Sequence, residues 1–367
     1  MSLWVGEEVQ EVPWSDALTL HEPTRPVSRR DGIAPVRWGI LGTAKIALEK
    51  VIPSMRGSSL AKVVAIASRD IAKARAAANR LEIPRAYGSY QELIDDPDIE
   101  AIYNPLPNHL HVPWSIRAAE QGKHVLCEKP IALNAQEARV LLEARDRTGV
   151  KIGEAFMVRT HPQWIKVREI IASGRIGELR LIAGHFSYYE RDPGDIRSRV
   201  EWGGGALMDV GCYPITISRW LFGAEPTDVV GLVERDPELQ VDRLTSGLLR
   251  FEEGQATFSC ATQLVPHQSM QIFGTTGRIS VEIPFSPPPR DVGRILVDDG
   301  SDVAGGGIEA ITFPPVDQYS VQADRFSEVI RGVGAVPVSL EDAMGNMAVI
   351  DALFRSAESR RWERLNL

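Results

Sequence analysis

Two short motifs hold the residues best suited to chemistry. Glu128-Lys129-Pro130 closes the apolar run His124-Val125-Leu126-Cys127, and a glycine-rich turn opens Ala206-Leu207-Met208-Asp209-Val210-Gly211-Cys212-Tyr213. An ammonium at the carboxyl end of a sheet strand supplies positive potential for a developing oxyanion. A carboxylate and a phenol four residues apart on a helix face one direction. Tyr213 is then placed to exchange a substrate proton, while Asp209 orients the hydroxyl or Lys129. Lys129 would also lower the pKa of a neighbouring phenol. Together these are parts of a hydride-transfer site. The bland alternative makes Tyr213 a half-buried aromatic of an amphipathic helix, and Lys129 is what tips the balance. Pro130 restricts Lys129 to extended backbone, and the bond before it is a candidate for the cis state.

The elements that must position these groups fall into two patterns. From Pro35, strands and helices alternate: strands at 36–41, 62–68, 99–104, 124–128 and 151–156, helices at 44–55, 71–81, 112–121 and 134–147, with Asn134 as an N-cap. That rhythm implies a doubly wound parallel sheet. After Phe156 it changes. Helices at 162–173 and 207–222 mix with strands at 178–188, 227–234, 244–251, 255–262, 268–273 and 277–283, and helices at 321–331 and 340–361 end the chain. Consecutive strands joined by short turns predict a large, mainly antiparallel sheet covered by helices on one face. The expected fold class is therefore α/β: a Rossmann dinucleotide-binding domain at 35–156, then an α+β substrate-binding and oligomerisation domain at 157–367. Residues 1–34 form a separate acidic arm with Trp4 and Trp14, read as a disordered segment or as one whose tryptophans dock on this subunit or a neighbour.

Bulk properties set the surroundings. The chain has 367 residues, 44% of them hydrophobic, and a formal net charge of −8. That charge argues against nucleic acid and anionic membranes as partners, and no apolar run approaches a spanning helix. Three scattered cysteines, Cys127, Cys212 and Cys260, indicate neither a disulfide framework nor a metal cluster. The cytoplasm is the default compartment.

The dinucleotide fingerprint would fall on Gly42-Thr43-Ala44-Lys45-Ile46-Ala47, where only the first glycine is kept. The strand before it and the helix after it strengthen the reading, because N–H groups at a helix start hold a pyrophosphate. The second strand ends in Ser68-Arg69-Asp70, with Lys73 one turn on. A hydroxyl and two cations suit a 2′-phosphate, so NADP is expected, with NAD the alternative. The third strand ends in Asn104-Pro105-Leu106-Pro107-Asn108-His109-Leu110-His111, where doubly wound folds bind ligands. His109 reads as structural, and His111 as a helix cap or a pocket residue.

At this point the residues resemble a known family. Trp38-Gly39-Ile40-Leu41-Gly42-Thr43-Ala44, Glu128-Lys129-Pro130, Glu154-Ala155-Phe156-Met157 with Arg159 and His161-Pro162, and Gly203 to Tyr213 look like the glucose–fructose oxidoreductase / inositol dehydrogenase (Gfo/Idh/MocA) family. Tyrosine at 213 is similar to the branch with NADP-dependent xylose and dihydrodiol dehydrogenases. The resemblance implies Lys129 and Tyr213 as the catalytic pair, with Asp209 assisting. It also implies that Gly42 to Ile46, Pro105, Leu106, Asn108, His111, Glu128, Arg159 and Trp202 line the cofactor or substrate pocket. A sugar or cyclic polyol is the expected substrate and a homodimer or higher homo-oligomer the expected assembly. The competing expectation is a sensor that binds nucleotide and sugar without turnover.

Overall fold

The computed structural model describes residues 34–365; the arm with Trp4 and Trp14 lies outside them. The first sheet is built from β1 (Val36–Leu41), β2 (Ala61–Ala67), β3 (Arg85–Tyr87), β4 (Ala101–Asn104), β5 (His124–Glu128) and β6 (Ile152–Ala155). All six are parallel, in the order β3-β2-β1-β4-β5-β6. The order reverses beside β1, which leaves a crevice at the strands' carboxyl ends between β1 and β4. Trp38, Ile40, Ile66 and Ile102 are fully buried within this sheet, as a sheet covered on both faces requires.

Helices α1 (Ile52–Met55), α2 (Ile71–Arg80), α3 (Tyr90–Asp95), α4 (His111–Glu120) and α5 (Ala135–Thr148) make the crossovers. Asp70 caps α2 through Ala72 N, Ser89 caps α3, and Asn134 caps α5 through Glu137 N. The short pair β3 and α3 was not expected from the sequence, because each is too brief to show a period. The predicted helix at 44–55 is π-wound over Ala47–Val51 before it continues as α1.

The second sheet has nine strands: β7 (Leu179–Tyr189), β8 (Asp228–Arg235), β9 (Asp242–Arg250), β10 (Gln255–Ala261), β11 (Gln263–Gly274), β12 (Arg278–Val281), β13 (Gly293–Asp298), β14 (Ile308–Phe313) and β15 (Glu363–Arg364). Every pairing is antiparallel except β7 with β10. Strands β13 to β15 extend it beyond the sequence expectation. Helices α6 (Pro162–Ala172), α7 (Cys212–Phe222), α8 (Gln318–Ile330) and α9 (Leu340–Ser359) complete the chain. Close approaches mark the covered face. A Cβ at Gly184 would lie 2.9 Å from Pro214 of α7, and one at Gly231 would lie 3.0 Å from the Leu353 carbonyl of α9.

The opposite face is mainly polar on its central strands. On β10 and β11 the outward positions are Thr257, Ser259, Ser269 and Gln271, while Phe258, Cys260, Met270 and Ile272 point into the core. Exposed apolar side chains lie nearer the start of β11, at Leu264 and Val265, and on β8, where Leu232 is 76% exposed. Among the described residues no helix is long and apolar enough to cross a membrane.

Candidate active site

Lys129 follows the last residue of β5, and its peptide bond to Pro130 is cis. Nζ donates to the Asp209 carbonyl oxygen at 2.6 Å and to Asp209 Oδ1 at 3.1 Å. The local sequence explains why that carbonyl is free to accept. Residues Leu207–Gly211 are π-wound ahead of α7. In π-winding the donor for the Asp209 carbonyl would come from residue 214, and Pro214 has no N–H.

Asp209 is the hub of the site. Its Oδ2 accepts from the Tyr188 hydroxyl, near the end of β7, and from Arg197 Nε at 2.9 Å. Burial works against its ionisation, but Arg197 first and Lys129 second hold the carboxyl well below the ordinary range. Burial likewise disfavours the Lys129 ammonium, and the Asp209 carboxylate outweighs it and raises the lysine's pKa. Burial and the adjoining Asp209 push the Tyr188 phenol far up. The centre is thus two cations and two carboxylates, because Arg197 also pairs with Asp195 at 3.3 Å. Sequence reading missed Tyr188 and Arg197. Neither sits in a motif, and only the sheet and the 3₁₀ turn Ile196–Ser198 bring them to Asp209.

Tyr213 differs from its expected role. Its hydroxyl faces Met157 Sδ at 3.7 Å, and its ring packs edge-on against Phe156 and Phe186. Lys129 Nζ lies 5.0 Å from the ring centroid, over its face. The ammonium therefore meets the π cloud and leaves the phenol alone, so the expected lowering is absent. Burial instead drives the Tyr213 pKa well above its ordinary value.

Around the crevice, Gly42 has φ +82 at the end of β1, and a Cβ there would lie 2.9 Å from Leu106 Cδ2. Only glycine suits that turn. Thr43, Ala44 and Ile46 are half-buried beside it, and Lys45 is exposed. Arg69 is exposed at the end of β2 close to the Tyr90 hydroxyl, with Lys73 exposed on the next turn. Ser68 is buried, and its Oγ accepts Asp70 N at 3.2 Å. Tyr90, on the unforeseen α3, is a further residue the sequence did not reveal. The positive-φ glycine, the adjoining helix start and the free cations fit a dinucleotide phosphate.

Other expected pocket residues turn out to brace the site. His111 is 1% exposed, with Nδ1 2.8 Å from the Pro130 carbonyl and Nε2 2.6 Å from that of Leu106. It ties together the loops after β4 and β5, which corrects its pocket assignment. Burial pushes its pKa down to about 4, so the neutral ring donates to only one of the two carbonyls. Arg159 is also corrected. Its guanidinium pairs with Asp342 at 2.7 Å and covers the Trp220 ring, because a buried cation must find an anion. Glu128 accepts the Tyr103 hydroxyl, and burial raises its pKa. Asn108 Nδ2 donates to the Gly203 carbonyl at 2.9 Å, and Trp202 stacks on His109 at 5.4 Å. Pro105 and Leu106 are buried beneath them. Trp202 and Asn108 thus close the crevice between the two sheets.

A parallel sheet with a glycine turn, set against a lysine–aspartate centre, defines a dinucleotide-binding oxidoreductase. The family description "Oxidoreductase family, NAD-binding Rossmann fold" matches residues 36–156, and "GFO/IDH/MocA C-terminal domain" matches 164–280. The chain belongs to the Gfo/Idh/MocA oxidoreductase family. It is 52% identical to the oxidoreductase ORF334 of Rhizobium meliloti, over 89% of this chain and 98% of that one. It is 35% identical to D-xylose 1-dehydrogenase (NADP(+)) 2 of Haloferax volcanii, over 88% and 97%. A solved 3-ketoreductase from Actinomadura kijaniata, in complex with NADP and TDP-benzene, superposes with a TM-score of 0.81 at 28% identity, covering 88% of this chain and 98% of that one.

Proposed function

We propose that the protein is an NADP-dependent oxidoreductase acting between a CH–OH group and its carbonyl on a sugar or cyclic polyol. The observation that carries this reading is the Lys129 ammonium, held charged by Asp209 at the mouth of the crevice. Charged at neutral pH, the ammonium is suited to stabilise an oxygen that becomes an alkoxide, the stronger base to which it can then pass a proton.

Gly42 to Ile46 and the loop from Pro105 to Asn108 would hold the dinucleotide, with Arg69 and Lys73 on a 2′-phosphate. When bound, that group supplies or takes up the hydride. Lys129 gives its proton to the substrate oxygen, and in the reverse direction it takes the proton back. Asp209 keeps the lysine charged and in place. Arg197 and Tyr188 keep Asp209 ionised and fixed, and the Tyr213 ring supports the ammonium from below. The relatives' names agree on the class: one is an NADP-dependent xylose dehydrogenase and another a 3-ketoreductase crystallised with NADP. The uncovered face of the nine-stranded sheet is the site of homodimerisation in this reading.

The test is a panel of aldoses, inositols and dihydrodiols with NADP, and the matching ketoses and lactones with NADPH, followed at the nicotinamide absorbance band. Turnover with a sugar-class compound, faster with NADPH than with NADH, is the expected result. Cofactor binding without turnover of any panel member would replace the enzyme by a sensor.

A further inference from the structure

Glu154 is a buried acid that the proposed reaction does not use. Strand register sets it beside Cys127, and its main chain is fixed by a bond from its own N–H to the Val338 carbonyl at 3.2 Å. Its Oε1 accepts the Ile131 N–H at 2.7 Å. Ile131 follows Lys129-Pro130, so this contact holds the far side of the turn that presents the lysine. The residue is 3% exposed, and Oε2 has no hydrogen-bond partner among the described residues. A buried carboxylate with a single donor is strongly disfavoured, whereas the neutral acid fits the same space.

We propose that Glu154 is a positioning residue for Lys129: as a neutral acid it props the Lys129-Pro130-Ile131 turn, and its ionisation in mild alkali displaces the lysine. The inference rests on the reading of Lys129 as the group that meets the substrate oxygen. The surroundings agree with it. Burial first, with Asp342 adding to it, pushes the Glu154 carboxyl up to about 8 against the opposing Ile131 N–H, Arg219 and Lys129. The Cys127 and Cys212 thiols nearby are themselves pushed up by burial and add no charge. Lys129 stays charged beyond this range, so the lysine's own titration does not account for a change in mild alkali.

The test uses the full chain labelled with 15N-lysine, with the Lys129 ammonium resonance assigned through K129R. In the wild type, the infrared band of a protonated carboxyl disappears with a midpoint near pH 8, and the Lys129 resonance moves with the same midpoint. In E154Q, which keeps an oxygen acceptor and cannot ionise, both transitions are absent. An alkaline fall in turnover on any substrate found by the panel should vanish in E154Q as well. Absence of the band at neutral pH, or a Lys129 transition that persists in E154Q, overturns the proposal. The resonance reports on the lysine whether or not any panel substrate turns over, so failure of the enzyme reading and failure of this one are separable.

Discussion

Lys129 stands over the face of Tyr213, with Nζ 5.0 Å from the ring centroid, while the phenol hydroxyl turns away to Met157. The two residues that the motifs pair as acid and base are therefore in contact through a charge and a π cloud. Lys129→Ala should lower turnover by about a hundredfold or more, the scale of a positioned proton donor. Tyr213→Phe keeps the ring and should cost less than about tenfold by the same scale. NADPH titrations should give similar affinities for both variants. A tyrosine variant as impaired as the lysine variant would return the proton to the phenol.

Arg197 sets the acid tolerance of the site. The Asp209 carboxyl is depressed in the folded state, so its contribution is present above the unfolded value of 3.8 and is lost only as pH falls through the lower folded one. Removing Arg197, the larger of the two cationic influences, raises that folded value. Arg197→Met should therefore lose activity at a higher pH than the wild type as the solution is acidified. Tyr188→Phe should shift the acid limb in the same direction by less. Superimposable acid limbs for Arg197→Met and wild type would remove Arg197 from the site.

Cofactor choice should follow Arg69. Its guanidinium is exposed at the end of β2, close to the Tyr90 hydroxyl. A charge-assisted contact to a phosphate contributes about 1.5–3 kcal/mol. Arg69→Ala should weaken NADP by about tenfold or more and leave NAD nearly unaffected. Equal losses for both nucleotides in calorimetric titrations would refute the assignment.

The outer face of the nine-stranded sheet should be covered in solution. Leu232 is 76% exposed there, on the side of β8 opposite to Gly231, which packs on Leu353 of α9. A twofold-related sheet is the simplest cover. Light scattering at micromolar concentration should give twice the chain mass, and Leu232→Arg should shift the species toward monomer. A monomer mass for the wild type would contradict this assembly.

The alternation of strands and helices between Val36 and Ala155, the helix cap Asn134, and the Lys129 and Asp209 motifs are all legible in the sequence. Each rests on local chemistry: a period of hydrophobicity, a side chain that bonds its own backbone, or a short run with a fixed neighbour. Tertiary structure alone decided who meets Asp209. Tyr188 and Arg197 lie 21 and 12 residues before it, in a strand and a 3₁₀ turn whose positions depend on the whole second sheet. It also decided that His111 and Arg159 brace the site from behind. A buried imidazole and a buried guanidinium take whichever carbonyls or carboxylates the packing offers, and the sequence carries no record of those neighbours. The same reason separates Lys129 from the Tyr213 hydroxyl. Spacing puts two residues on one face of a helix, but the rotamer that aims the phenol is set by Phe156, Phe186 and Met157, which arrive from other elements.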